Sequence, residues 1–160
     1  MNLDLFKKQA QQKKSENKAF FSKLKRTKPK VLDEKIHQLH DEVFRCTDCL
    51  ECANCCKTTG PLFTDKDISR IAKFLRIRPS EFTHKYLRVD EDKDYVLKQL
   101  PCSFLAEDNS CTIYEVRPKA CREFPHTDRI RQHQILGITQ KNVTICPAVF
   151  EIVEMLKKSI

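Results

Sequence analysis

Glycine is almost missing from this chain of 160 residues: Gly60 and Gly137 are the only two. Loops that cradle phosphates in the Walker or dinucleotide-binding manner need several glycines within a few residues, so that class of nucleotide site is excluded. Tryptophan is absent, and 40% of the residues are hydrophobic against 32% charged. Such a lean apolar content is poor for a large core, and domains built this way commonly rely on metals or disulfides. No apolar run approaches the ~18 residues of a membrane-spanning helix. The N-terminal run MNLDLFKKQAQQKKSENK lacks the apolar stretch of a secretory signal, so a cytoplasmic protein is expected. No Ser–His–Asp signature is present either.

What the chain does have is nine cysteines. Five fall in the run RCTDCLECANCCK, as Cys46, Cys49, Cys52, Cys55 and Cys56, and four follow at Cys102, Cys111, Cys121 and Cys146. Thiolates are soft ligands, and several held together suit zinc, iron or an iron–sulfur cluster. In a reducing cytosol, clustered cysteines are read as metal ligands before disulfides, and an odd number pairs poorly. The Cys-x2-Cys spacing repeats three times before Cys56 follows at once. One helix would scatter these side chains along a drifting stripe, so the run is expected to loop around a centre. Five thiolates exceed a four-coordinate ion, so adjacent Cys55 and Cys56 are expected to serve different centres. Nine cysteines can fill two four-ligand sites with one over, or one closed site and a second with open positions.

Cys46, Cys49, Cys52 and Cys56 also follow the C-x2-C-x2-C-x3-C spacing of bacterial ferredoxins. Lys57 stands where ferredoxins have proline, and no second run exists, so a ferredoxin is excluded while iron–sulfur chemistry stays open. Around Cys121 gather Arg117, Arg122, Glu123, His126 and Asp128. His126 is a candidate additional ligand. The arginines are expected to steady the turn and the thiolate charge from outside the ligand shell.

Elsewhere the periodicity reads as helix and short strand. Leu32, Ile36, Leu39 and Val43 share one face of a helix over 31–44. Thr64 caps a helix over about 65–76 with Ile68, Ile71, Ala72 and Leu75 as its apolar stripe. Ser80 is expected to cap a second, shorter helix, and a last one starts at Pro147 and buries Val149, Ile152, Val153 and Leu156. DKDYVLKQLPCSFL reads as extended, and Glu107–Ser110 as a turn, so a small hairpin is expected to carry Cys102 and Cys111. Cys121 falls on a turn or short helix. The expected fold class is α+β, mostly α: a small metal-organised domain with a short β-hairpin and irregular cysteine-rich loops.

Charge divides the chain. Residues 1–30 hold ten Lys/Arg and two acidic residues, while residues 31–160 hold twenty of each sign. The expected organisation is therefore a basic N-terminal arm over residues 1–30, helical or partly disordered, and a cysteine-cluster domain over 31–160. Such an arm suits an anionic partner, nucleic acid or a membrane surface, or is simply a solvated face.

The signature Cys49-x2-Cys52-x2-Cys55-Cys56, the pair Cys102-x8-Cys111, RPKACREFP around Cys121 and Cys146-Pro147 occur in the order found in the CxxCxxCC cysteine-cluster family, which this sequence resembles over roughly residues 44–150. The resemblance implies zinc or iron chelation, with Cys49, Cys52, Cys55, Cys56, Cys102, Cys111, Cys121 and Cys146 as ligands. Cys46 extends the signature. Three readings follow. The first is a metal-binding protein whose centres organise the fold. The second is an iron–sulfur or open-site metalloenzyme or redox protein. The third is a zinc-stapled interaction module with a basic arm. The expectation leans away from an enzyme.

Overall fold

The computed structural model describes residues 2–160. Its elements in chain order are α1 (Leu3–Gln12), α2 (Lys14–Leu24), α3 (Pro29–Phe44), α4 (Cys49–Cys52), α5 (Asn54–Thr58), β1 (Leu62–Phe63), α6 (Asp65–Leu75), α7 (Pro79–Tyr86), β2 (Leu87–Val89), β3 (Tyr95–Leu97), α8 (Lys119–Glu123), α9 (Leu136–Asn142) and α10 (Pro147–Ser159). Single 3-10 turns occupy Tyr114–Val116 and Gln132–Gln134. The fold is mostly α with a small antiparallel sheet, as the sequence pattern predicts. The chain divides into two compact units, Met1–Cys49 with Pro125–Ile160, and Leu50–Phe124.

The first unit is helical. On α3 the stripe Leu32, Ile36, Leu39 and Val43 is buried, and it shares one core with Ala148, Val149, Ile152, Val153 and Leu156 of α10. Fully burying a Leu, Ile or Val side chain is worth about 1.5–3 kcal/mol, so this pair of stripes is the unit's main source of stability. Both helices place proline at their first turn, where its missing N–H costs nothing. Pro29 therefore begins α3 and does not interrupt it. Phe21 and Leu24 of α2 join the same core, and Phe6 of α1 meets Phe150 edge-on at 5.8 Å. Asp33 accepts the N–H groups of Arg131 and Gln132, both at 2.8 Å, which fixes the 3-10 turn of the returning chain. The stretch before Cys146, weakly patterned in sequence, forms α9 and contributes Leu136 to the core.

The second unit pairs α6 and α7 with the sheet, whose order is β1-β3-β2 with antiparallel neighbours. The register sets Phe63 opposite Tyr95 and Val89 opposite Tyr95 on the other edge. Phe63, Ile68, Ile71, Phe82, Leu87, Leu97, Phe104 and Ile113 form its core. Phe82 stacks on Phe104 at 6.1 Å, and Tyr86 tilts against Phe104 at 4.8 Å.

The sheet's hairpin lies earlier than expected. It joins β2 to β3 through Asp90–Asp94, where the Asp90 carboxylate accepts N–H groups from Asp92 (3.0 Å) and Asp94 (2.9 Å). The Cys102–Cys111 segment turns as predicted at Asp108–Asn109 but pairs through a single bridge, Leu105 with Cys111. Among the described residues, no helix is long and apolar enough to cross a membrane.

Candidate metal centre

Ala53 decides how the cysteine run bends. Its backbone is left-handed, φ 47° and ψ 19°, and it separates α4 from α5. Left-handed geometry costs an L-residue about 1–2 kcal/mol, so the run is held in two pieces, as one continuous helix could not be. Beyond the joint, Cys55 and Cys56 lie on α5, half-buried.

The Cys56 carbonyl accepts the N–H of Cys102 at 2.8 Å, which fastens the Cys102 strand to α5. The Leu105 N–H donates to the Cys102 carbonyl at 3.1 Å, and the backbone N–H groups of Phe104 and Ile113 favour the charged forms of Cys102 and Cys111. Between these two cysteines the segment is closed by Thr112 N–H to the Phe104 carbonyl and Ala106 N–H to the Ser110 carbonyl, both 2.8 Å. Asn109, left-handed at φ 67°, donates from Nδ2 to the Leu50 carbonyl at 2.8 Å and ties the turn to α4. Cys121 sits on α8.

Four thiols from these three segments share one electrostatic environment. Burial pushes Cys121 up to about 12, and the nearby charges of Cys56, Cys102 and Cys111 add to the rise. Burial also raises Cys102 above its ordinary 9.0; the Phe104 N–H pulls back, and Cys56 and Cys111 push further up. Cys111 is raised by burial against the Ile113 N–H, with a further contribution from Cys56. Cys56 is raised most, first by its hydrogen bond with Cys55, then by burial and by the charge of Cys55. Lys57 opposes the rise at Cys56, and Arg117 opposes it at Cys111 and Cys121. Burial and neighbouring thiolates disfavour the charged forms here, and a cation bound among the four sulfurs would offset that cost. The donor set therefore fits a thiophilic metal, although among the described residues no three His, Cys, Asp or Glu side chains already stand in a metal-holding group.

Residues outside the thiols fix this geometry. Asp67 is buried on α6 and closes a capping box with Thr64, with bonds of 2.9 and 3.1 Å. It also accepts Arg70 Nη2 at 2.7 Å and the N–H of Lys119, the first residue of α8, at 3.1 Å. Arg70 reaches on to the carbonyls of Val116 (3.3 Å) and Arg117 (2.9 Å). Asp67 and Arg70 thus clamp the turn that joins Cys111 to Cys121. Arg117 lies 4.0 Å over the Tyr114 ring and donates to its carbonyl at 2.8 Å, which holds the guanidinium beside the two thiols whose charge it favours. The Thr64 cap is legible in the sequence; the clamp is not. The T-x-x-D spacing was the available signal for Asp67; the partners of Arg70 lie 46 and 47 residues away.

The other predicted site residues stand outside these four thiols, with Cys55 beside Cys56 on α5 and Arg122 and Glu123 on α8. Cys52 is buried in the same unit. Cys46 and Cys49, both exposed, and Cys146, half-buried at the start of α10, belong to the helical unit. His126 is in that unit too, left-handed at φ 67°, its carbonyl receiving Gln132 Nε2 at 2.8 Å. Arg122 and Asp128 are exposed, and Glu123 pairs with Lys119 at 3.7 Å.

Residues 48–147 match the family model described as "CxxCxxCC: Putative zinc- or iron-chelating domain". The chain belongs to this family. The match begins after Cys46 and takes in the other eight cysteines, so the whole Cys56–Cys102–Cys111–Cys121 group lies inside the CxxCxxCC domain. Its description supports metal binding by zinc or iron. The chain is also 33% identical over 90 residues to uncharacterized protein MJ0661 of Methanocaldococcus jannaschii, covering 54% of this chain and 48% of that one. It thus spans about half the length of that relative. No solved structure matches the chain significantly.

Proposed function

We propose that this CxxCxxCC protein binds zinc or iron through Cys56, Cys102, Cys111 and Cys121, and that the bound centre organises the Leu50–Phe124 unit. The observation that carries this reading is that four half-buried thiols from three separate segments of one unit, with Cys102 N–H bonded to the Cys56 carbonyl at 2.8 Å, lie within the matched zinc- or iron-chelating domain. Four thiolates complete a tetrahedral shell and leave no position for water or substrate, the arrangement of a holding site and not of a reacting one. They equally suit the irons of a cluster. Lys57 and Arg117 offset the negative charge that four thiolates leave on a dication. Because the ligands come from α5, the 102–111 segment and α8, binding an ion joins parts of the chain that no other covalent link connects. Structural zinc contributes about 10–16 kcal/mol in zinc-finger peptides, comparable to the whole stability of a typical domain.

The test is metal content. Protein purified without oxygen is assayed for zinc, iron and acid-labile sulfide. At least one equivalent of metal is expected, lost in Cys121→Ser and in Cys56→Ser. A colourless protein with integral zinc selects a zinc site; a brown protein with sulfide selects a cluster. A second equivalent that survives these substitutions assigns further ligands among Cys46, Cys49, Cys52, Cys55, Cys146 and His126. Metal-free protein that keeps its full stability and fold overturns the organising role.

A further inference from the structure

The geometry points to the exposed basic face of α1, α2 and the segment up to Lys30 as a docking surface for the phosphodiester backbone of a nucleic-acid duplex. This inference is independent of the metal site. Nine of the ten cations in residues 2–30 are exposed: Lys7, Lys8, Lys14, Lys18, Lys23, Lys25, Arg26, Lys28 and Lys30. The tenth, Lys13, is half-buried and paired with Glu154 of α10. The acidic Glu16 is engaged by Lys157 at 2.5 Å. Among the exposed nine, Lys30 lies 4.0 Å from Glu34, and Lys23 reaches the Ile160 carbonyl at 3.4 Å. Lys14, Lys18 and Lys25, spaced by four and seven, share one flank of α2. The positive charge of the whole chain is therefore concentrated on one helical segment and left facing solvent.

The packing decides between polyanions. A helix that lies in a membrane surface needs a free apolar face beneath its lysines. Here Phe6, Ala10, Phe21 and Leu24 are spent on the protein's own interior, and Leu5, the one exposed large apolar side chain in residues 2–30, is too little to make such a face. Single-stranded nucleic acid is gripped by exposed aromatic rings on which bases stack. The aromatic residues of this segment are Phe6 and Phe21, buried, and Phe20, half-buried against the core. What is left is charge alone on a fixed scaffold, which fits duplex phosphates and reads no sequence.

The experiment uses the full metal-loaded chain and the variant Lys7→Gln/Lys14→Gln/Lys18→Gln/Lys25→Gln. All four side chains are exposed, so helix content and metal content serve as controls for folding; deleting residues 1–30 would instead remove Phe21 and Leu24 from the core. Binding to a 20-base-pair DNA or RNA duplex is followed by fluorescence anisotropy from low to moderate salt. The expected result is sequence-independent binding that weakens with salt, with the log–log slope falling by about 0.9 for each lysine that touches a phosphate. The variant binds at least about tenfold more weakly. No binding by the wild-type chain at low salt, or equal binding and an equal slope in the variant, overturns the inference. Binding to phosphatidylserine–phosphatidylcholine vesicles without binding to either duplex also overturns it, in favour of a membrane surface.

Discussion

Ala53 and Asp67 show how much of the site depends on single residues. Ala53 holds a left-handed backbone that glycine adopts without steric cost. Ala53→Gly should therefore raise the midpoint of thermal unfolding, with a gain of about 1 kcal/mol, and leave metal content unchanged. Asp67 offers the pH test. Burial pushes its carboxyl up, but the Thr64 N–H, the Arg70 guanidinium and the Lys119 N–H outweigh that and hold it below its ordinary 3.8. A carboxylate lowered by folding contributes stability above its unfolded value, and that contribution is lost as pH falls through the folded value. In metal-free protein the stability difference between wild type and Asp67→Asn should therefore be full at neutral pH and shrink below about pH 4, as followed by chemical denaturation. A difference that stays constant into acid would remove the charge from the account. The chemistry of the cysteines was legible in the sequence because their type and spacing carry it. The proposed grouping of Cys56 with Cys102, Cys111 and Cys121 was not, because no local pattern encodes which loops meet.

At the scale of elements, helices with a full apolar stripe were readable from periodicity; α7, which buries only Phe82, was legible without one, but Arg78 is its N-cap and Ser80 lies inside it, because Pro79 takes the first turn. The stripes of α3, α6 and α10 each bury residues at helical spacing, so periodicity found them. α9 buries Thr139 and Asn142 beside Leu136, so its pattern is broken by polar residues. The hairpin was misplaced because its turn carries no glycine: Asp90 satisfies the turn's N–H groups, and Lys93 takes the left-handed position at φ 63°. The clamp between α6 and the turn before α8 makes its own prediction. Arg70→Ala leaves the Val116 and Arg117 carbonyls without this donor and should weaken metal affinity about 10–100-fold, the usual effect of losing a group that orients ligands. Thr64→Ala costs about 1 kcal/mol of helix capping without touching Arg70, and should leave affinity near wild type. A competition titration with a chromophoric chelator separates them; equal losses in both variants would mean that the effect is general destabilisation. On α3, Leu32→Ala should cost about 2–5 kcal/mol and leave the unit that holds the four thiols its metal.

The whole molecule combines a helical unit whose core is the packed stripes of α3 and α10 with a unit that has its own apolar core and carries the four thiols of the proposed centre. The two should respond differently to metal removal. Chelation should speed hydrogen exchange within Leu50–Phe124, above all in α5, the 102–111 segment and α8, while α3 and α10 keep their protection. Uniform loss across the chain would contradict a centre confined to one unit. Whether four particular thiols hold one metal centre is decided by counting zinc, iron and sulfide in protein prepared without oxygen, as wild type and as Cys56→Ser/Cys102→Ser/Cys111→Ser/Cys121→Ser. The variant should lack a whole centre that the wild type contains; full wild-type metal content in the variant would rule that centre out.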